Sequence, residues 1–306
     1  MGPVDASPPV VAVDVGGTSI KAGVVSADGA VSRLVRATTP PAGADGKPVV
    51  DAVVAVLDGL VAGHPARRAA AVGVVVPGIV DERAGVAVGA ENLGWQNVPL
   101  RDLLSDRLGC PVVLGHDVRA GGLAEHRTGA CRGARNAAFV PVGTGIAAAL
   151  VLDGRLFAGD GYAGEIGHVD VGGDLPCACG GRGCLETVAS AAAVARRYTA
   201  ASGTRVDGSR DVAARVRAGD PAAVAVWDEA LDALSRGLAM LTGIVAPEVI
   251  AVGGGFAESA DLVIAPLGER LADRLTFHRV PRVVPAELGD RAGCVGAGLL
   301  AWELLS

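Results

Sequence analysis

One supersecondary pattern occurs twice in this chain. From Val10 to Thr38, short valine-rich runs are broken by a glycine turn at Gly16-Gly17 and then by Asp28-Gly29. Short apolar runs punctuated in this way predict strands joined as an antiparallel meander. The same plan returns with Ala138 to Val142, the turn Gly143-Thr144-Gly145, Ile146 to Leu152, the turn Asp153-Gly154, and Arg155 onward. A repeated meander predicts a duplicated domain, and 306 residues of which 50% are hydrophobic can bury two cores.

Helices are expected between the strands. The clearest runs from Asp220 to Val245, with Asp220 as N-cap and Pro221 at the first helical position. Val224, Trp227, Leu231, Leu234, Leu238 and Leu241 fall at spacings of three and four, which predicts one apolar stripe packed in a core. Further helices are expected over Pro48–Ala62, Val118–Arg127, Thr187–Ala201, Ala260–Leu275 and Gly293–Leu304. Strands are expected at Ala70–Val76, Val112–Leu114 and Val249–Val252, so the chain reads as α/β.

Charge and hydropathy narrow the function. The net charge is −6 and the arginines are dispersed, so no basic footprint for nucleic acid is present. No run reaches the roughly 20 apolar residues of a membrane span, and residues 1–9 lack a basic segment followed by an apolar one. A cytoplasmic protein without a membrane partner is expected.

Two glycine turns have phosphate-binding chemistry. In Asp14-Val-Gly-Gly-Thr-Ser-Ile-Lys21, Gly16 and Gly17 let backbone approach a phosphate, and Thr18 adds a hydroxyl donor. Asp14 is suited to holding Mg²⁺ through water, and Lys21 lies two positions along the following strand. Gly143, Thr144 and Gly145 repeat the chemistry in the second meander. An ordinary hairpin turn would use similar residues, so the pairing of the two turns is what favours a nucleotide. Val142–Ala147 also fits G-x-G-x-x-A, a dinucleotide fingerprint, but that fingerprint opens a helix and here the chain continues as a hairpin. A P-loop is absent from the sequence. Gly253-Gly254-Gly255, between a strand and a helix, either cradles the adenosine, through Gly254 and Gly255, or is a tight strand-to-helix turn.

Cys177, Cys179 and Cys184 place three thiols within eight residues, with His168 nine residues upstream. Three Cys and one His complete a closed tetrahedral zinc site, which makes zinc structural here. The other cysteines, Cys110, Cys131 and Cys294, are expected in the core.

Together DVGGTSIKAG, GHDVRAGGLAEH around Asp117, VGTGIAAAL, GEIGHVDV and CACGGRGCLE resemble the ROK family of sugar kinases and repressors. The resemblance implies two actin-like (ribonuclease H-like) α/β domains with the active site in the cleft between them. We expect the first over residues 1–116, with the helix 293–306 packed back on it, and the second over 117–292. The resemblance makes Asp117 the catalytic base and gives Glu165, Glu186 and His168 to sugar hydroxyls, with His168 also on zinc. Gly78 and Asn92 match the pocket wall. Asp117, at the expected start of a helix, is favoured as an ion there and is also a suitable N-cap.

The chain departs from the family where His116 replaces the usual Asn and Val118-Arg119 the usual Ala-Asn. Ala147 and Ala148 also stand where glycines are common. His116 is expected to contact the sugar, with a contact that weakens on protonation near pH 6.5. The implied activity is phosphorylation of a hexose, glucose first, with ATP and Mg²⁺. The alternatives are an N-acetylglucosamine or N-acetylmannosamine kinase and, from another class, a non-catalytic sugar-sensing regulator. Nine residues before the first strand leave no room for a helix-turn-helix, so a DNA-binding repressor is not expected. A homodimer or homotetramer is.

Overall fold

Valine runs determine where the first sheet forms. Val10–Val15 (β1) and Ala71–Val76 (β4) are buried almost throughout, as strands covered on both faces must be. The computed structural model describes residues 7–306 apart from 42, 63, 65, 91 and 92. The chain divides into two units. One comprises the residues up to Ala124 with Ala158–Tyr162 and Asp290–Ser306; the other comprises Glu125–Phe157 and Ala163–Gly289.

In the first unit, Ser19–Val25 (β2) and Val31–Thr38 (β3) extend β1 into an antiparallel meander. Val112–His116 (β8) joins β4 on the other side, giving the order β3-β2-β1-β4-β8. Alternation along β1 decides what covers each face. Val11, Val13 and Val15 pack with Val49, Val53, Leu57 and Leu60 of Lys47–Val61 (α1). Ala12 faces the other way, with Val75 and with Cys294 and Ala297 of the C-terminal helix Ala292–Glu303. That helix lies very close, because a Cβ at Gly73 would sit 1.8 Å from the Ala297 carbonyl oxygen. Ile79–Asp81 (β5), Val86–Ala90 (β6) and Trp95–Val98 (β7) form a separate antiparallel sheet. Leu100–Leu108 (α2) follows, and Asp117–Thr128 (α3) begins directly where β8 ends.

The second unit repeats the plan. Ala137–Pro141 (β9), Ala149–Leu152 (β10) and Arg155–Phe157 (β11) form the meander, with φ of 51° at Asp153 and 75° at Gly154 in its tight turn. Val249–Gly253 (β12) and Arg282–Pro285 (β13) add in parallel, giving β11-β10-β9-β12-β13. The helices are Leu185–Ala189 (α4), Ala191–Ser202 (α5), Ser209–Arg217 (α6), Pro221–Val245 (α7), Gly254–Ala257 (α8) and Ala260–Arg274 (α9). Asp220 caps α7, its Oδ1 accepting from Ala222 N–H at 2.9 Å and Ala223 N–H at 3.3 Å.

The structure revises several expectations. The apolar stripe of α7 buries Trp227, Leu231, Leu234, Leu238 and Leu241, but Val224 is exposed and its place on the core side is taken by Ala223 and Val226. The helix expected over Thr187–Ala201 is two helices: Ser190 ends α4 and caps α5, accepting from Ala193 N–H at 3.1 Å. Cys131 and Cys294 are buried, whereas Cys110 is only partly so.

Candidate functional site

In the first unit the β1–β2 turn is closed by Gly16 N–H donating to the Ser19 carbonyl at 2.9 Å. Gly17 and Thr18 are exposed at its tip, with backbone and hydroxyl donors accessible. Asp14 lies opposite Lys21 in the antiparallel register, with Lys21 Nζ 3.7 Å from Asp14 Oδ2 and donating to the Asp290 carbonyl at 2.8 Å. Burial raises the Asp14 carboxyl above its ordinary range in spite of Lys21, so a cation arriving there would be favoured by the charge it restores. Gly78, at φ 88°, turns the chain from β4 into β5, and a Cβ there would meet the Gly89 carbonyl at 2.1 Å. Asn92 lies outside the described residues.

Asp117 is the first residue of α3. Its Oδ1 accepts the Val118 N–H at 2.7 Å, and the helix terminus favours the ionised carboxylate. The side chain that caps the helix is His116, whose Nδ1 accepts the Arg119 N–H at 3.3 Å. His116 Nε2 lies 3.5 Å from Asp117 Oδ1. Burial, with the Arg119 charge adding to it, pushes the His116 ring down to about 3. The expectation that His116 switches near pH 6.5 is therefore overturned: the ring is neutral across the physiological range.

Two residues of this site had not been singled out from sequence. Arg119, 1% exposed, donates through Nε to Glu82 Oε1 at 2.8 Å and through its other nitrogens to the carbonyls of Gly161 and Val80. Glu82 Oε1 also accepts the His116 N–H at 3.2 Å. Only the substitution of Arg for the family's Asn hinted at this, because a lone Arg and a lone Glu ordinarily read as solvated.

In the second unit, Glu165 precedes a tight turn, Ile166–His168, which is reached through Gly164 at φ 92°. The ligand atoms of His168, Cys177, Cys179 and Cys184 all lie within 4.8 Å of one another. A tetrahedral zinc with sulfur at about 2.3 Å and nitrogen at about 2.0 Å sets S···S at about 3.8 Å and S···N at about 3.5 Å. Cys179 and Cys184 have their sulfurs 3.7 Å apart, and Cys177 Sγ is 3.6 Å from His168 Nδ1, so the donor set fits zinc. Without metal, burial pushes the Cys177 thiol up to about 12 and raises Cys184, while the Gly181 N–H lowers Cys179. Glu186, early in α4, accepts from the Cys177 thiol at 3.3 Å and lies 3.7 Å from His168 Nδ1. A Cβ at Gly145 would come 3.1 Å from Glu186 Oε2, so the second glycine turn and the zinc loop meet at this carboxylate.

Gly143 and Thr144 also line a cavity of about 810 Å³ together with Gly255. Gly254 makes the approach possible: at φ 79°, a Cβ on it would fall 2.4 Å from the Val142 carbonyl oxygen. Arg196 of α5, Asp207 in the loop before α6 and Glu258 at the end of α8 lie on the same wall and were not anticipated, since none of these segments carries a phosphate-binding pattern around them.

Residues 10–303 match the model of the ROK family. The glucokinase of Thermotoga maritima is 34% identical over 96% of this chain and 97% of its own. Among solved structures, a ROK family glucokinase from Streptomyces griseus in complex with glucose and AMPPNP superposes with a TM-score of 0.82 at 32% identity, covering 96% of this chain and 99% of that one. The ROK hexokinase of Thermus thermophilus gives a TM-score of 0.84 at 34% identity, covering 97% and 98%. The repeated meander sheets are the two actin-like domains of such kinases. On its motifs, its two matching sheets and these similarities, the chain belongs to the ROK family.

Proposed function

We propose that the protein is an ATP-dependent sugar kinase that converts glucose to a glucose phosphate, with Asp117 as the general base. The observation that carries this reading is the placement of Asp117 on the first turn of α3, directly after β8. The surrounding chain is more than 30% identical to glucokinases over nearly its whole length. A carboxylate needs no unusual tuning for this work, because phosphoryl transfer depends mainly on positioning and charge stabilisation.

Asp117 accepts the proton of the attacking sugar hydroxyl as its oxygen forms the bond to the γ-phosphorus. The bond from that phosphorus to the β,γ-bridging oxygen breaks, and ADP leaves with the electron pair. Gly16, Gly17, Thr18, Gly143, Thr144, Gly145, Gly254 and Gly255 are the candidate donors to the nucleotide. Asp14 would hold Mg²⁺, with Lys21 beside it, and the ion would offset charge on the phosphates. Glu165, Glu186 and His168 bind the sugar.

Zinc held by His168, Cys177, Cys179 and Cys184 would fix the loop that orients Glu186 and His168. Its four protein ligands leave no open position for chemistry. The test is ADP release across glucose, mannose, N-acetylglucosamine and N-acetylmannosamine. The reading requires glucose to give the highest kcat/KM, and absence of ADP release with every hexose would overturn it.

A further inference from the structure

The resemblance assigns position 116 to the sugar, yet both nitrogens of the His116 ring are directed at the protein's own groups. A neutral imidazole has one donor and one acceptor nitrogen. Nδ1 accepts the Arg119 N–H, so it carries no proton, and the ring proton sits on Nε2. That nitrogen lies 3.5 Å from Asp117 Oδ1, a separation that tightens readily when a site fills. Turning the ring away would break the Nδ1 cap, and Glu82 Oε1 holds the backbone at this turn by accepting both the His116 N–H and the Arg119 Nε–H. Arg119 in turn spans the carbonyls of Val80 and Gly161. The charged groups facing the ring are thus Asp117, Arg119 and Glu82.

We propose that His116 is a positioning residue for the base: seated by Arg119 and Glu82, it presents Nε2–H to the Asp117 carboxylate and fixes its orientation, rather than reading the sugar. The proposal rests on Asp117 being the base. The low proton affinity of the buried ring is consistent with it, because the donor then persists through the working pH range.

Two substitutions separate the two ends of the ring. His116→Asn has an amide oxygen at the position of Nδ1 and keeps the helix cap, but nothing at the position of Nε2. His116→Gln has an amide nitrogen at the position of Nε2 and loses the cap. Under the proposal, His116→Asn melts close to the wild type, loses about tenfold in kcat and keeps its glucose KM within about twofold. His116→Gln melts lower but recovers most of the lost turnover. Nitrogen NMR of the wild type should show the Nε2–H tautomer.

A risen KM in His116→Asn with altered ranking of glucose against mannose and N-acetylglucosamine would instead make position 116 a sugar reader and overturn the proposal. Full turnover in His116→Asn would overturn it too, leaving a helix cap alone. Asp117→Asn assayed alongside distinguishes failure of the base assignment, which would leave that variant active whatever His116 does.

Discussion

The Nδ1 of His116 accepts the backbone N–H of Arg119 at 3.3 Å, so the residue before the candidate base caps the helix on which the base sits. Fold and chemistry are separable at this turn. Asp117→Asn keeps an oxygen for the Val118 N–H and leaves the cap untouched, so melting temperature should change little. Turnover should fall by roughly two to four orders of magnitude, the contribution of a positioned base, with a much smaller change in glucose KM. Steady-state kinetics beside a thermal melt check both halves.

Acid sensitivity follows from the same ring. In the unfolded chain His116 titrates near its ordinary value of 6.5, whereas in the folded protein it is pushed down to about 3. Between those values the unfolded state binds the extra proton. The stability is therefore fully present above about pH 6.5 and declines as the pH falls towards 3. At pH 5 the loss from this one group is about 2 kcal/mol. Denaturant titrations at pH 7 and pH 5 should show a drop of that order in the wild type that is absent from His116→Asn.

Folded protein should carry one zinc per chain. Chelation should release it together with three newly titratable thiols, those of Cys177, Cys179 and Cys184, because the metal-bound form holds them as thiolates. Cys179→Ala should lose zinc and glucose binding together, since Glu186 and His168 border the same loop. Metal analysis well below one equivalent in active protein would remove the site.

Gly164 tests how closely the turn proposed to bind sugar is built. At φ 92° a side chain is strained, and its Cβ would fall 1.8 Å from the Ala148 carbonyl oxygen. Gly164→Ala should destabilise by more than about 2 kcal/mol and weaken glucose binding through displacement of Glu165. Gly203, at φ 70° with no atom within 4 Å of such a Cβ, isolates the backbone term. Gly203→Ala should cost only about 1 kcal/mol and leave glucose binding alone.

Much of this was legible beforehand because the signals are local. The turns at Asp28-Gly29 and Asp153-Gly154, the cap at Asp220 and the run of thiols each act within a few residues, and each gave the expected element or grouping. The helix Leu100–Leu108 was missed although Leu100, Leu104 and Leu108 have helical spacing and Gly109 ends it at φ 62°. Its polar positions outweighed three leucines. The β5–β7 sheet was missed because its strands are three to five residues long. Glu82 and Arg119 were beyond reach for another reason. Their pairing spans 37 residues, and nothing in either neighbourhood says that a guanidinium will be enclosed.

The helix Ala292–Glu303 covers β1 and β4 on the face opposite α1. During synthesis, that side of the first sheet is complete when β8 has emerged, yet its cover is made about 175 residues later. At ribosomal rates of roughly 5–20 residues per second the uncovered valines and alanines wait about 10–35 s. The earliest strands to be made thus depend on the last helix for the burial of one face. A nascent chain arrested before residue 292 should hold a sheet that exposes apolar surface and engages chaperones, and release of the final segment should end that engagement abruptly.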